Sequence, residues 1–125
     1  MAVLLLSALA TVVPGTIDAS QRGNNSNPQA YALISGTVFD PDGRTLYGVK
    51  VKIRRADEKK ARWELSSDHM GEFAQRVPVG PADYVVWADV KGYKTPDGRR
   101  VQPGEEVKVH IESDERQDIG LHLSW

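Results

Sequence analysis

The sequence contains no cysteine, so neither disulfides nor thiolate metal ligands can stabilise the fold. Its 125 residues fit one domain of ordinary size. A domain of about 100 residues can be stable on its hydrophobic core alone. We therefore expect one well-formed apolar core to hold this chain together.

The sequence also lacks an excess of one charge. Lys and Arg number sixteen and Asp and Glu seventeen, and one of these acids, Asp18, lies in a segment that we expect to be removed. Nucleic acids and anionic membranes select proteins with a clustered positive excess. The composition therefore argues against nucleic acid and a membrane surface as partners.

No apolar run is long enough to span a bilayer. The run Ala2–Val13, followed by Pro14, Gly15 and the small residue Ala19, is typical of a secretory signal, although no Lys or Arg accompanies it. The alternative is a buried first strand or helix. We predict a signal peptide over 1–19, a flexible polar leader over 20–29 and a domain over 30–125, hence a secreted or periplasmic protein without a membrane span in its mature chain.

From Tyr31 onward the apolar residues recur with period two, which is the period of a β-strand. In "LYGVKVKIRR", for example, Val49, Val51 and Ile53 point one way and the intervening cations point to water. About seven such runs are separated by turn signals, and this predicts an all-β, antiparallel sandwich without helices. The last two runs, "VKVHI" and "IGLHL", are predicted to pair as a hairpin.

The tetrapeptide "PDGR" occurs twice, at 41–44 and 96–99. Proline presets the second position of a turn, Asp can bond nearby backbone, and glycine takes the left-handed position that closes it. A calcium loop would need more carboxylates at alternating positions and a distal Glu. Both copies are therefore predicted to be reverse turns.

The order of these features resembles the carboxypeptidase regulatory-like domain, a transthyretin-like, seven-stranded β-sandwich of the immunoglobulin-like kind. The resemblance covers 34–123, with Ser67 where the family usually has Thr and a longer step before Tyr84. The matching positions are Gly36 and Val38; Asp40 and Gly43; Gly48, Val49 and Val51; Ser67, Asp68, Gly71 and Phe73; Pro78, Gly80 and Tyr84; Gly92 and Tyr93. The resemblance implies the fold and says little about activity.

Two groups of residues invite a catalytic or metal-binding interpretation. Ser67, Asp68 and His69 are consecutive turn residues, and their side chains should point apart, whereas a triad must converge. His110 and His122 would lie opposite each other in the predicted hairpin, but two ligands are too few for zinc. We therefore predict no catalytic residue, no metal site and no cofactor.

Flat aromatic rings offer a way to bind without catalysis. Trp87 is predicted on the face of its strand opposite Tyr84, and Tyr47, Tyr93 and Trp125 at strand ends or in loops. Such rings stack on sugars or on peptide aromatics, although packing inside the protein is the alternative for each. These four residues are the candidate ligand-stacking set, with Trp87 foremost.

Together these observations predict a non-catalytic, exported module that binds an extracellular or cell-surface protein or a glycan. A second interpretation, which the family resemblance implies, is a structural domain that stabilises a partner such as a peptidase. A third, a metal-dependent hydrolase, would require His69, His110 and His122 to converge.

Overall fold

The structure is a computed structural model that describes residues 30–125. The predicted signal peptide and leader, 1–19 and 20–29, lie outside the described residues. The strands are β1 (Ala32–Phe39), β2 (Lys50–Arg55), β3 (Trp63–Ser66), β4 (Glu72–Val77), β5 (Ala82–Asp89), β6 (Val107–Ile111) and β7 (Arg116–His122). Within residues 30–125 no helix is long and apolar enough to cross a membrane.

Alternating burial explains why these segments are strands. In β2, Val51 and Ile53 are fully buried, whereas Lys50 is exposed and Lys52 half-buried. A side-chain period of two places every second residue on one face of a sheet. The apolar face of each strand can then be buried against a second sheet.

The strands form two sheets, with the orders β4-β1-β7 and β3-β2-β5-β6. The seven-stranded, all-β sandwich predicted from the sequence is therefore confirmed. Four of the strand pairs are antiparallel, but β1 and β7 run parallel, with Leu33 opposite Arg116 and Phe39 opposite His122. The pair of the first and last strands is thus a parallel exception in the antiparallel sandwich that the sequence predicts.

The predicted hairpin between the last two strands is wrong. β6 pairs with β5 in the four-stranded sheet, and β7 pairs with β1 in the other sheet. The polar segment 112–115 therefore carries the chain from one sheet to the other. Both strands bury one apolar face in this arrangement, and alternation alone does not say which strand becomes the neighbour.

The core lies between the sheets and includes residues of every strand except β3, whose partly buried Trp63 and Leu65 pack against it, and residues of two loops. Its fully buried side chains include Ile34, Val38, Ile53 and Tyr84. At Gly36 on β1, a Cβ atom would lie 2.5 Å from the backbone oxygen of Ile119, so the backbones of β1 and β7 approach closely at this glycine.

Candidate functional site

One end of the sandwich collects three strand connections, including the two longest among residues 30–125. The loops 40–49, 67–71 and 90–106 meet there, together with the C-terminal residues 123–125. We call this the turn end. The opposite end carries the segments 56–62, 78–81 and 112–115, and we call it the histidine end after His110.

The turn end repeats one backbone turn three times, starting at Asp40, Asp68 and Thr95. In each turn the N–H of the fourth residue donates to the first carbonyl, at 2.8–3.0 Å. The first N–H donates to the fifth carbonyl, at 2.8–2.9 Å. A side-chain oxygen of the first residue accepts the fifth N–H, at 2.9–3.1 Å. Both "PDGR" copies are confirmed as turns. The third turn with the same hydrogen bonds lies in "SDHMGEF".

Buried hydrogen bonds fix the loop 40–49 to the loop 67–71. The Ser67 hydroxyl is buried, donates to the Leu46 carbonyl at 2.7 Å and accepts the Val49 N–H at 2.9 Å. Asp68 accepts the N–H groups of its own turn. Ser67 and Asp68 are therefore occupied by backbone groups, and the sequence Ser67-Asp68-His69 does not converge on a common point.

An exposed aromatic patch lies at the turn end, on these two loops and the neighbouring loop 90–106. The rings of Tyr47 and His69 stack with their centroids 4.2 Å apart, and the Tyr93 hydroxyl donates to the Tyr47 carbonyl at 2.9 Å. Tyr47 is 57% exposed, and Met70, the residue after His69, is 67% exposed. Burial of the Tyr93 ring raises the pKa of its hydroxyl, which keeps that donor protonated. We call Tyr47, His69, Met70 and Tyr93 the turn-end patch.

Sequence reasoning identified half of this patch. Tyr47 and Tyr93 were among the predicted stacking residues, and the structure brings them together. Met70 was missed, although a methionine at the tip of a polar turn is itself a signal of an exposed apolar contact. Trp125 lies at the same end, where the Arg99 guanidinium covers its ring at 3.4 Å.

Trp87 lies elsewhere, on the outer face of the four-stranded sheet. It is half-buried and lies on the face of β5 opposite the buried Tyr84, as predicted. It lies across from Lys52 in the β2–β5 register. With the segment 59–64 it lines an open groove of about 540 Å³.

His110 and His122 are not opposite each other, so the predicted arrangement of these two residues is corrected. His122 ends β7 and stacks on Phe39, with centroids 4.9 Å apart. His110 is on β6, with Nδ1 2.7 Å from Asp83 and Nε2 2.8 Å from Glu112. The hydrogen bond to Glu112, which contributes most, and the hydrogen bond to Asp83 favour the charged imidazolium and raise the pKa of His110.

Backbone amides hold a further carboxylate at the histidine end. Glu115 accepts the N–H of Ser113 at 2.7 Å and that of Glu112 at 2.9 Å. These hydrogen bonds stabilise the ionised form and lower the pKa of Glu115 to about 2. Across residues 30–125, no group of three His, Cys, Asp or Glu side chains is placed to hold a metal ion.

These features define the class of the molecule as a seven-stranded β-sandwich of the transthyretin-like and immunoglobulin-like kind. No protein-family profile matches the chain. No curated protein matches it either.

Solved structures share the fold at low sequence identity. The major pilin subunit BcpA of Bacillus cereus is 16% identical with a TM-score of 0.60, over 94% of this chain and 32% of BcpA. The minor pilin GBS52 of Streptococcus agalactiae is 18% identical with a TM-score of 0.55, over 77% of this chain and 45% of GBS52. The 5-hydroxyisourate hydrolase of Klebsiella pneumoniae is 14% identical with a TM-score of 0.51, over 74% of this chain and 90% of the hydrolase. The chain thus spans less than half the length of either pilin.

Proposed function

We propose that this protein is a non-catalytic β-sandwich module that acts outside the cytoplasm and binds another protein through the turn-end patch. The observation that carries the proposal is the stack of Tyr47 on His69 beside the exposed Met70. Aromatic side chains and methionine are enriched in protein interfaces, and exposed apolar groups that lie together mark such sites.

The patch is also preorganised, which lowers the entropic cost of binding. The Tyr93 hydroxyl fixes the backbone of Tyr47, and Ser67 fixes the loop on which Tyr47 lies. A partner would therefore meet a surface whose loops are already ordered. Binding surfaces formed by loops on a rigid sandwich are a common use of this fold.

An extracellular location is part of this proposal and is supported by the apolar N-terminal run. Two of the similar solved structures are pilin subunits, which is compatible with such a location. Membership of the carboxypeptidase regulatory-like family is likewise proposed. It is supported by Asp40 and Asp68, which occupy the family's turn positions and form the same turn.

The absence of catalysis is proposed from the state of the candidate side chains. The Ser67 hydroxyl is buried and bonded to backbone groups, so it is not available as a nucleophile. His69, His110 and His122 each contact different partners, which does not favour a shared metal. The metal-dependent hydrolase hence has the least support of the three interpretations.

A binding experiment with matched variants tests the proposal. The purified protein is immobilised and exposed to cell-envelope protein fractions, in parallel with Tyr47→Ala/Met70→Ala. Val79→Ala is the control, because Val79 is an exposed apolar residue at the histidine end. We expect a retained protein that the double variant loses and the control keeps, with a loss of at least about tenfold in affinity.

Two results would count against the proposal. A partner that the double variant retains fully would place the interface elsewhere on the molecule. If no protein is retained by any form, the structural role beside a fused or neighbouring protein becomes the better interpretation.

A further inference from the structure

We propose that the groove beside Trp87 binds an acidic polysaccharide, a chain of uronic acid sugars. This goes beyond the proposed function, because the groove lies on the outer face of the four-stranded sheet and shares no residue with the turn-end patch. The residues that line it are Lys52, Lys59, Lys60, Ala61, Arg62, Trp63, Glu64 and Trp87.

The groove spans three neighbouring strands, with Trp87 on β5, Lys52 on β2, and Trp63 and Glu64 on the edge strand β3. Trp87 lies on β5, which is a central strand paired with both β2 and β6. An extended peptide binds best by adding its backbone to an exposed sheet edge. Trp87 lies two strands in from the β3 edge, so a ligand over this ring is recognised by stacking on the indole and by neighbouring side chains.

The cationic side chains that line the groove differ in whether a carboxylate of the protein already pairs with them. Lys52 contacts Asp89 at 3.0 Å and Glu64 at 3.5 Å, and these contacts raise its pKa, Asp89 contributing most. Arg62 is held by both carboxylate oxygens of Glu58, at 2.7 and 2.8 Å.

Lys59 and Lys60, in contrast, are exposed and have no ion-pair partner among residues 30–125. These two ammonium groups at the edge of the groove are available to an anionic ligand. An ammonium without a fixed carboxylate attracts a negative group without first losing a partner.

The surrounding segment is locally cationic although the chain as a whole is nearly neutral. Between residues 50 and 62 the cations are Lys50, Lys52, Arg54, Arg55, Lys59, Lys60 and Arg62, and the acids are Asp57 and Glu58. Such a local excess concentrates anions near the surface. A neutral glycan would gain nothing from it.

A uronic acid chain matches both parts of the groove. Each sugar presents a flat face of C–H groups, which stacks on an aromatic ring, and a carboxylate, which pairs with an ammonium group. The groove is open and suits an extended chain better than a small molecule that needs an enclosed pocket. A neutral sugar lacks the carboxylate, and an acidic peptide lacks the flat ring in each unit.

Calorimetric titration with oligogalacturonate of defined length tests the inference on the purified protein. We expect binding that weakens about fivefold or more in Lys59→Gln/Lys60→Gln, because two favourable charge contacts are lost. These lysines are exposed, so the variant should keep its thermal transition. Trp87→Ala should remove most of the binding, with circular dichroism used to verify that it folds.

The matched control is Lys94→Gln, which removes an exposed cation that lies in the loop 90–106 at the turn end and does not line the groove. It should bind as the unchanged protein does. Neutral maltooligosaccharide should bind no form. The inference is overturned if oligogalacturonate does not bind at about millimolar concentration, or if the lysine pair has no effect. Equal binding of polyglutamate or of an oligonucleotide would also overturn it, since the site would then select charge alone.

Discussion

The two ends of the sandwich close their loops by different means. At the turn end, Asp40 and Thr95 are only 7% and 6% exposed, and their side chains accept backbone N–H groups within identical turns. At the histidine end, His110 and Glu115 make their hydrogen bonds at the surface. Buried hydrogen bonds are costly to break, whereas exposed ionic contacts contribute little and depend on pH. The comparison indicates that the turn end is the rigid platform and the histidine end the pH-dependent region.

The largest expected loss of stability comes from adding a side chain where the loops of the turn end pack closely. Gly71 has a φ of 79°, and a Cβ atom there would lie 2.6 Å from Cβ of Thr45. Gly71→Ala should therefore cost about 3 kcal/mol of unfolding free energy, from left-handed strain and from displacement of the loop 40–49. Chemical denaturation followed by circular dichroism measures this loss.

Gly43 supplies the matched control for this change. It occupies the same position in the first turn, with a φ of 88°, but nothing lies within 4 Å of its added Cβ. Gly43→Ala should cost only the conformational strain, about 1 kcal/mol. Equal losses for the two variants would show that the packing between the loops does not matter.

A smaller effect should follow from removing the side-chain acceptor of the first turn. Asp40 accepts the N–H of Asp42 at 2.8 Å and of Arg44 at 2.9 Å, in a buried position. Asp40→Ala leaves these donors without their partner and should cost about 2 kcal/mol. Thermal denaturation against Asp40→Asn, which keeps an acceptor oxygen, isolates the hydrogen bonds.

Asp68 sharpens the same comparison, because it forms the same turn with an exposed side chain. Water can replace its contacts, so Asp68→Ala should cost clearly less than Asp40→Ala. If Asp68→Ala is as destabilising, burial does not explain the strength of the turns.

The sequence was sufficient for the strands and for the individual turns. The alternation in "LYGVKVKIRR" predicted β2, and the Pro-Asp-Gly chemistry predicted both "PDGR" turns. These signals are local, since side-chain period and backbone preference depend on neighbouring residues. The same logic explains why Tyr84 was placed opposite Trp87 correctly.

Strand partners and surface clusters were not predictable in this way. The sequences "VKVHI" and "IGLHL" do not predict that β6 pairs with β5 and β7 with β1. A strand with alternating apolar residues can bury its apolar face in either sheet. As a consequence of this pairing, His110 contacts Asp83 and Glu112, and His122 stacks on Phe39. The stack of Tyr47 on His69 likewise depends on two loops far apart in sequence.

The smallest effect concerns the histidine end and is a dependence on pH. The hydrogen bonds to Glu112 after β6 and, to a smaller extent, to Asp83 on β5 raise the pKa of His110 above its usual value of 6.5. A raised folded-state pKa stabilises the fold fully below the unfolded pKa, and this contribution is lost as the pH rises through the folded pKa. His110→Asn should therefore lower the Tm at about pH 6 and have almost no effect at about pH 9.

Glu115 does not affect this measurement, because its pKa is lowered from the usual value of 4.5 to about 2. Its contribution to stability is therefore lost only in acid, as the pH falls below about 4.5. Asp83→Asn removes one carboxylate partner of His110 and should bring the imidazole pKa back toward its usual value, as NMR titration of His110 would show. A Tm difference between the unchanged protein and His110→Asn that stays constant across this pH range would mean that the imidazole contributes through packing alone. The two ends would then differ in exposure but not in their response to pH.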